Sequence, residues 1–142
     1  MSLRLNWDNV VEFSVHGSLK IEMSGQVIIA QVGGPWNLEL IRLFRNMITP
    51  YINQISEQGE WGLIVHVADS AMCPPDALSL IKKGADIDIS NTKRVCTSYV
   101  ISPDTEGYNL MLPIWYNIYT GKIPFEIFDT IDQAIIWVND HL

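Results

Sequence analysis

Three residues in one short stretch have the side chains that nucleophilic catalysis uses: a thiol, an imidazole and a carboxylate. Cys73, His66 and Asp69 would form such a set if the imidazole took the thiol proton and the carboxylate oriented the imidazole. The pattern argues against this set. His66 shares one face of the predicted strand with Ile64 and Ala68, so its imidazole is expected beneath a helix. No oxyanion-hole motif accompanies Cys73. The favoured interpretation is a hydrogen-bonded core histidine, an aspartate that closes a turn and a small buried cysteine.

The histidines do not have the spacing of a metal site. A protein zinc site needs three or four ligands that converge on the ion. His16, His66 and His141 are spread over the chain, and none has a partner histidine two or four residues away. The sequence therefore predicts no metal and no other cofactor.

A glycine pair before the first predicted helix is a candidate phosphate site, because helix N-termini bind anions. The segment Gly33-Gly34-Pro35 lacks both the dinucleotide-binding fingerprint and the Walker pattern. The favoured interpretation is a loop that packs Trp36 into the protein.

Polar residues follow the central predicted strands, at the edge where open α/β sheets tend to bind ligands. The candidates at this edge are His66, Asp69, Ser70, Cys73, Ser102 and Asp104. A second candidate location for a ligand lies between the sheet and the helices that flank Met72 and Met111.

The segment from Tyr108 to Tyr119 is apolar or aromatic on all sides of a short predicted helix. One face can enter the core, and the other would meet a partner subunit, an apolar ligand or solvent. The candidate contact residues are Tyr108, Met111, Trp115, Tyr116 and Tyr119. The alternative is that most of these side chains pack inward.

The elements that position these residues begin with an antiparallel meander. The predicted strands are Val10 to Val15, Leu19 to Met23 and Gln26 to Val32, with a two-residue hairpin turn at Ser24-Gly25. Helices and strands then alternate, which favours parallel pairing. The first helix begins at an Asn37 cap and runs to Ile55, with a kink or break expected at Pro50.

The later predicted elements follow in regular alternation. They are a strand from Trp61 to Ala68, a helix from Pro74 with a frayed end at Asp86 to Ile89, a strand from Arg94 to Ile101, a helix from Leu110 to Tyr119, a strand from Phe125 to Phe128 and a helix capped by Thr130. The sequence thus predicts a single α/β domain, residues 1–142. Its mixed sheet is antiparallel in the N-terminal strands, parallel later, and covered by about four helices.

This layout resembles the STAS domain, and more closely the sporulation anti-sigma-factor-antagonist-like family of small bacterial proteins. The similar pieces are Gly34-Pro35-Trp36-Asn37, the strand Leu63 to Val67 that closes on Asp69, and the C-terminal strand and helix from Phe125 to Trp137. The resemblance implies a STAS-like fold and a regulatory interaction module that a kinase switches at a serine before the second helix.

The matching connection here, Asp69 to Asp76, has a proline near the position of that serine. The one hydroxyl in this segment, Ser70, comes too early in the chain. The phosphorylation switch of the family is therefore not expected in this protein.

The composition narrows the class of partner. A net charge of −7 argues against nucleic acid, and the pairs Lys82-Lys83 and Lys93-Arg94 are predicted to be solvated ends of elements. No apolar run is long enough for a transmembrane segment, and no signal peptide is recognised. Both cysteines are expected to be free thiols in a cytoplasmic protein.

Three hypotheses follow for function. The first is a non-enzymatic cytosolic STAS-like module that self-associates or binds a regulatory protein. The second is a carrier of a small apolar ligand or lipid, which a filled core would exclude. The third and weakest is an enzyme that uses Cys73 with His66.

Overall fold

The computed structural model describes residues 3–6, 10–13 and 17–142, with side chains from Ser18 onwards. The strands in these residues are β1 Leu3–Asn6, β2 Val10–Phe13, β3 Gly17–Ser24, β4 Val27–Gly33, β5 Trp61–Ala68, β6 Arg94–Val100 and β7 Phe125–Phe128. The helices are α1 Leu38–Gln58, α2 Pro75–Asn91, α3 Tyr108–Tyr119 and α4 Ile131–Asp140. The predicted α/β class is confirmed.

The described strands form one mixed sheet, and their order in the sheet is their order along the chain. Strands β1 to β4 pair antiparallel, and β4 to β7 pair parallel. This confirms the predicted change from antiparallel to parallel pairing. The change occurs at β4, where hairpin connections give way to helical ones.

The N-terminal end of the sheet contains one strand more than predicted. Leu3–Asn6 pairs with Val10–Phe13, and no strand was predicted in this segment. The predicted strand was longer at its C-terminal end, and its residues Ser14 and Val15 lie outside the described part of the chain, as does His16.

The hairpin between β3 and β4 turns one residue later than predicted. Its two turn residues are Gly25 and Gln26, and Ser24 pairs with Val27 at the end of the ladder. Gly25 has a φ of +60°, which a residue without a Cβ adopts at little cost.

Because the strands follow one another across the sheet, the helices divide unequally between its two faces. The buried residues of α1, α2 and α3 form one core cluster with the strand residues on one face. Helix α4 packs against the other face, over β5, β6 and β7, through Ala134 and Val138. The layer beneath α1 and α2 is therefore the larger core, and it contains the site described below.

Two helix predictions need correction. Helix α1 continues through Pro50 as one helix to Gln58, so of the predicted kink or break, the break does not occur. Helix α2 is regular through Asp86–Ile89, the segment interpreted as a frayed end.

The predicted helix caps are confirmed. The Asn37 Oδ1 accepts a hydrogen bond of 2.8 Å from the Leu40 amide, and Thr130 forms a capping box with Gln133. In the described residues, no helix has the length and apolar character needed to cross a bilayer.

Candidate functional site

A cavity of about 190 Å³ lies between the sheet and helices α1 and α2. It reaches from Trp36, which follows the carboxyl end of β4, to Arg94, which begins β6. Lys83 and Ile87 of α2 belong to its wall and are exposed, so the cavity meets solvent between the two helices. Neither Met72 nor Met111 lines it, so this is not the location that the sequence suggested for a ligand.

Most of the cavity wall is apolar. The sheet contributes Leu63, Val65 and Tyr99, α3 contributes Tyr119, the loop before α1 contributes Trp36, and the facing helices contribute Ile41, Phe44, Ile48, Leu80, Ile81, Ala85 and Ile87. Ridges of two helices that pack closely on a sheet normally leave no void much larger than a water molecule. Here the side chains of α1 and α2 leave the space between them and the sheet unfilled.

An ion pair between the helices closes part of the cavity. The Arg45 guanidinium on α1 donates hydrogen bonds of 2.9 and 2.6 Å to the two oxygens of Asp88 on α2. Asp88 is only 2% exposed, whereas the Arg45 side chain is 33% exposed. The hydrogen bonds that Arg45 donates to Asp88 raise the pKa of Arg45 above its ordinary value. This pair ties α1 to α2 at the edge of the cavity.

Arg45 lies close to Gly84 of helix α2. A Cβ at this position would lie 3.7 Å from the Arg45 Nη1 atom, an ordinary contact distance. The approach of the guanidinium therefore does not require a glycine, although glycine in the middle of a helix lowers helix stability.

A second arginine, Arg94, is buried at the same end of the cavity. Its Nε donates to Thr97 at 3.0 Å, one Nη donates to the Tyr119 hydroxyl at 3.0 Å, and the other lies 3.4 Å from Asp88. The Arg94 side chain is 3% exposed. The prediction that Lys93-Arg94 is a solvated strand end is therefore wrong for Arg94.

A β-bulge turns Arg94 toward the cavity. Arg94 pairs with Trp61 and Cys96 pairs with Gly62, so Val95 is an extra residue between two successive pairs. Trp61 belongs to the core beneath α1 and α2, whereas Cys96 belongs to the core beneath α4. In a regularly paired strand without the bulge, Arg94 and Cys96, two residues apart, would share a face. Bulges commonly redirect a side chain in this way.

Two tyrosines extend the polar end of the cavity inward. The Tyr119 hydroxyl accepts from Arg94 and lies 3.4 Å from the Tyr99 hydroxyl. Tyr99 is fully buried, and desolvation raises the pKa of its hydroxyl well above the ordinary value, with a further contribution from Tyr119. The Tyr99 hydroxyl therefore stays protonated at neutral pH, and a tyrosine hydroxyl can both donate and accept hydrogen bonds.

The predicted edge residues Asp69 and Ser70 have a structural role in the loop after β5. The Ser70 hydroxyl donates to Glu106 at 2.8 Å, and its carbonyl accepts from the Trp36 indole at 2.9 Å. Asp69 has a φ of +69°, in the left-handed region. Ser70 is buried, so this loop fixes Trp36 and does not present a hydroxyl to solvent.

The residues of the hypothetical catalytic set are not assembled. His66 lies on the same face of β5 as Ile64, over which α4 packs, whereas Cys73 belongs to the core on the opposite face. Burial raises the pKa of the Cys73 thiol to about 12, with Asp76 adding to the shift, so the thiol is protonated at neutral pH. His66 is partly exposed, not deep beneath a helix, and its imidazole forms no hydrogen bond with the described residues.

Most of the predicted α3 contact surface is core, which corrects that prediction. Met111, Trp115 and Tyr119 are at most 2% exposed, because they face the sheet beside Trp36 and Tyr99. Tyr116 and Tyr108 are partly exposed, and the Tyr116 hydroxyl donates to Glu126. The exposed apolar residues at this end are instead Met72, Leu110 and Ile114.

Sequence reasoning missed three of the four charged residues that line the cavity: Arg45, Asp88 and Arg94. A signal existed for Asp88, because it continues the inward spacing of Ile81 and Ala85 on α2. For Arg94 there was none, since its direction depends on a bulge that arises only when β5 and β6 pair.

Comparison of the chain with protein-family models and with curated proteins finds no match. Among residues 17–142 and the described N-terminal strands, no three histidine, cysteine or acidic side chains converge as metal ligands would. The cavity and its charged end are therefore the features of this protein that indicate a function.

Proposed function

We propose that this protein is a non-enzymatic, cytosolic binding module with a STAS-like fold, and that it carries a small apolar ligand. The observation that supports this most directly is the 190 Å³ cavity beneath α1 and α2. The order of strands and helices agrees with the STAS resemblance. A binding role requires no activated nucleophile, and the Cys73 thiol is protonated and buried.

The size of the cavity fits one small molecule. An engineered apolar cavity of about 150 Å³ in another protein is large enough to bind benzene. The 190 Å³ found here would accommodate one aromatic ring or a short alkyl chain together with a small polar group. Long lipids exceed this volume, so the proposal is restricted to small ligands.

An empty cavity of this size would weaken the fold. Cavities left by truncated side chains reduce stability by about 24 cal/mol per Å³, which for this volume corresponds to roughly 4–5 kcal/mol. A bound ligand would restore the lost contacts between the helices and the sheet. The same contacts would tie ligand occupancy to the packing of α1 and α2.

The test is titration of the protein with toluene, followed through backbone amide chemical shifts. We expect saturable changes centred on Val65, Ala85 and Tyr99, which line the cavity. Ala85→Leu fills the cavity from α2 and is expected to abolish them. Ala68→Leu is the matched control, because Ala68 is half-buried on the α4 face of the sheet. Absence of saturable shifts in the natural protein, or equal binding by Ala85→Leu, would contradict the proposal.

A second candidate function is self-association through the outer face of α3. Leu110 and Ile114, one turn apart, are 63% and 36% exposed, and Met72 next to Gly107 is 38% exposed. These three residues extend one apolar surface from the loop after β5 to α3. Two copies of the chain would cover it by pairing the same surface, as in a two-fold dimer.

Sedimentation analysis tests self-association through α3, because it distinguishes a dimer from a monomer. If the surface pairs, Leu110→Lys is expected to convert a dimer into a monomer. Ile136→Lys, a change at an equally exposed apolar residue on α4, is expected to leave the dimer intact. A natural protein that sediments as a monomer at high concentration would rule out the α3 interface.

A further inference from the structure

We propose that the ligand carries a carboxylate, held by Arg94 and Arg45 at the amino end of β6, with its apolar part in the cavity toward Trp36. This inference rests on the proposed binding function and names the chemical class of the ligand. Its support comes from the charge balance, the unused hydrogen-bond donors and the direction of Arg94.

The charge balance of the cavity wall is opposite to that of the protein. Its charged residues are the cations Arg45, Lys83 and Arg94 and the single anion Asp88. The whole chain has a net charge of −7. The excess positive charge of the wall favours an anion locally, although the net negative charge of the protein repels anions at long range.

Asp88 does not neutralise both arginines. Its two oxygens accept short hydrogen bonds of 2.6 and 2.9 Å from Arg45. The contact from Arg94 to the same carboxylate is 3.4 Å, longer than the usual length of about 2.7–2.9 Å for a charged hydrogen bond. Two arginines therefore share one carboxylate, and the ion pair with Arg94 is the longer one, so this end of the cavity keeps one excess positive charge.

Arg94 also has donors to spare. A guanidinium has five N–H groups, and among the described residues Arg94 uses one from each of its three nitrogens, toward Thr97, Asp88 and Tyr119. The two unused N–H groups lie one on each terminal nitrogen, and arginine commonly holds a planar carboxylate through two N–H donors. At 3% exposure, solvent reaches these donors poorly.

The bulge in β6 directs the Arg94 side chain toward the apolar cavity. The extra residue Val95 puts Arg94 on the cavity face of the sheet, and Tyr119 then borders both the guanidinium and the apolar wall. A carboxylate at Arg94 would have its apolar part directed along Leu63, Val65 and Tyr99 toward Trp36. The small volume favours a planar carboxylate over a bulkier phosphate.

The experiment compares three ring compounds of similar size at neutral pH: benzoate, its neutral isostere benzamide, and toluene. Binding is measured through the amide shifts of the cavity residues. We expect benzoate to bind the natural protein roughly tenfold tighter than benzamide, since hydrogen bonds to charged groups contribute more than neutral ones. Arg94→Met is expected to remove this preference, and Arg94→Lys to keep part of it.

The outcomes separate the two proposals. If toluene and benzamide bind and benzoate binds no better, the carboxylate inference is wrong while the binding function stands. If none of the three binds, both are wrong. The comparison of benzoate with benzamide uses the unaltered protein, so it decides the inference even if Arg94→Met fails to fold.

Discussion

The carboxylate of Asp88 on α2 and the guanidinium of Arg45 on α1 meet in a two-pronged ion pair across the edge of a cavity. Helix α1 and helix α2 are thus joined by charge at the point where their apolar side chains leave a gap. The geometry gives α1 and α2 a fixed spacing without filling the space beneath them.

Asp88→Asn is expected to destabilise the protein by about 3 kcal/mol, because it leaves two arginines at a buried site without their carboxylate. The measurement is the free energy of unfolding in urea. Asp86→Asn, two residues earlier on the same helix, is the control. Asp86 is exposed and pairs with Lys122 at 2.5 Å, and surface pairs of this kind contribute at most about 1 kcal/mol. Equal losses for the two variants would show that the Asp88 pair has no special role.

Val65→Ile is expected to stabilise the protein by about 0.5–1 kcal/mol, because the added methyl group enters the cavity. Val67→Ile changes the same residue type on the same face of β5, but Val67 does not line the cavity. The added methyl group there has no space and is expected to cost about 1 kcal/mol. Thermal denaturation of both variants provides the comparison. A stabilised Val67→Ile with an unchanged Val65→Ile would place the unfilled space elsewhere.

Two glycine substitutions are expected to have opposite effects. Gly84→Ala should stabilise α2 by about 0.5–1 kcal/mol, since its Cβ meets Arg45 at 3.7 Å without a clash. Gly62→Ala should destabilise, because its Cβ would lie 2.5 Å from Val138 and 2.9 Å from the Cys96 sulfur, where α4 packs on the sheet. Denaturation midpoints measure both, and a stable Gly62→Ala would mean that α4 shifts easily.

The two thiols are expected to react slowly with an alkylating agent at pH 8. Burial raises the pKa of Cys73 to about 12 and that of Cys96 to about 11, from an ordinary value of 9.0. The thiolate is the reactive species, so alkylation of the folded protein should be slower than that of the unfolded chain by about a hundredfold or more. Mass spectrometry of the alkylated protein with and without urea measures this ratio. Equal rates would show that the folded protein exposes its thiols.

Stability is expected to decrease in alkaline solution. The folded protein keeps the protons of Cys73 and Cys96 up to about pH 12 and 11, whereas the unfolded chain releases them near pH 9. The stabilising contribution is complete below about pH 9 and is lost as the pH rises through these folded-state values. Urea unfolding between pH 7 and 11 tests this, and Cys96→Ala should make the decrease less steep. A free energy of unfolding that did not change over this pH range would contradict the prediction.

The parts of the fold that were predictable are those that local patterns determine. The apolar run Trp61 to Ala68 can only be a buried strand, and Asn37 and Thr130 cap helices through contacts within one turn. The strand at Leu3–Asn6 was missed although Leu3 and Leu5 alternate with Arg4 and Asn6, because an alternation of four residues is too short to predict a strand without its pairing partner.

The site was harder to predict than the fold because its residues look like surface residues in the sequence. Arg45 lies among the polar positions of α1, and Asp88 lies in a segment whose alternation resembled fraying. Their burial follows from the gap between two helices, which depends on how side chains of distant segments fill space. Residues chosen by chemical type, such as Cys73 and His66, lie on different faces of the sheet.

The bulge at Val95 makes strand pairing, and not only residue identity, part of the encoding of this site. Arg94 and Cys96 lie two residues apart and would share a face in a regularly paired strand, yet the bulge directs them to different core layers. In a variant whose β6 paired with β5 without the bulge, with Cys96 still opposite Gly62, the arginine would turn toward the layer beneath α4. The cavity would then lose its buried cation although no wall residue had changed its identity.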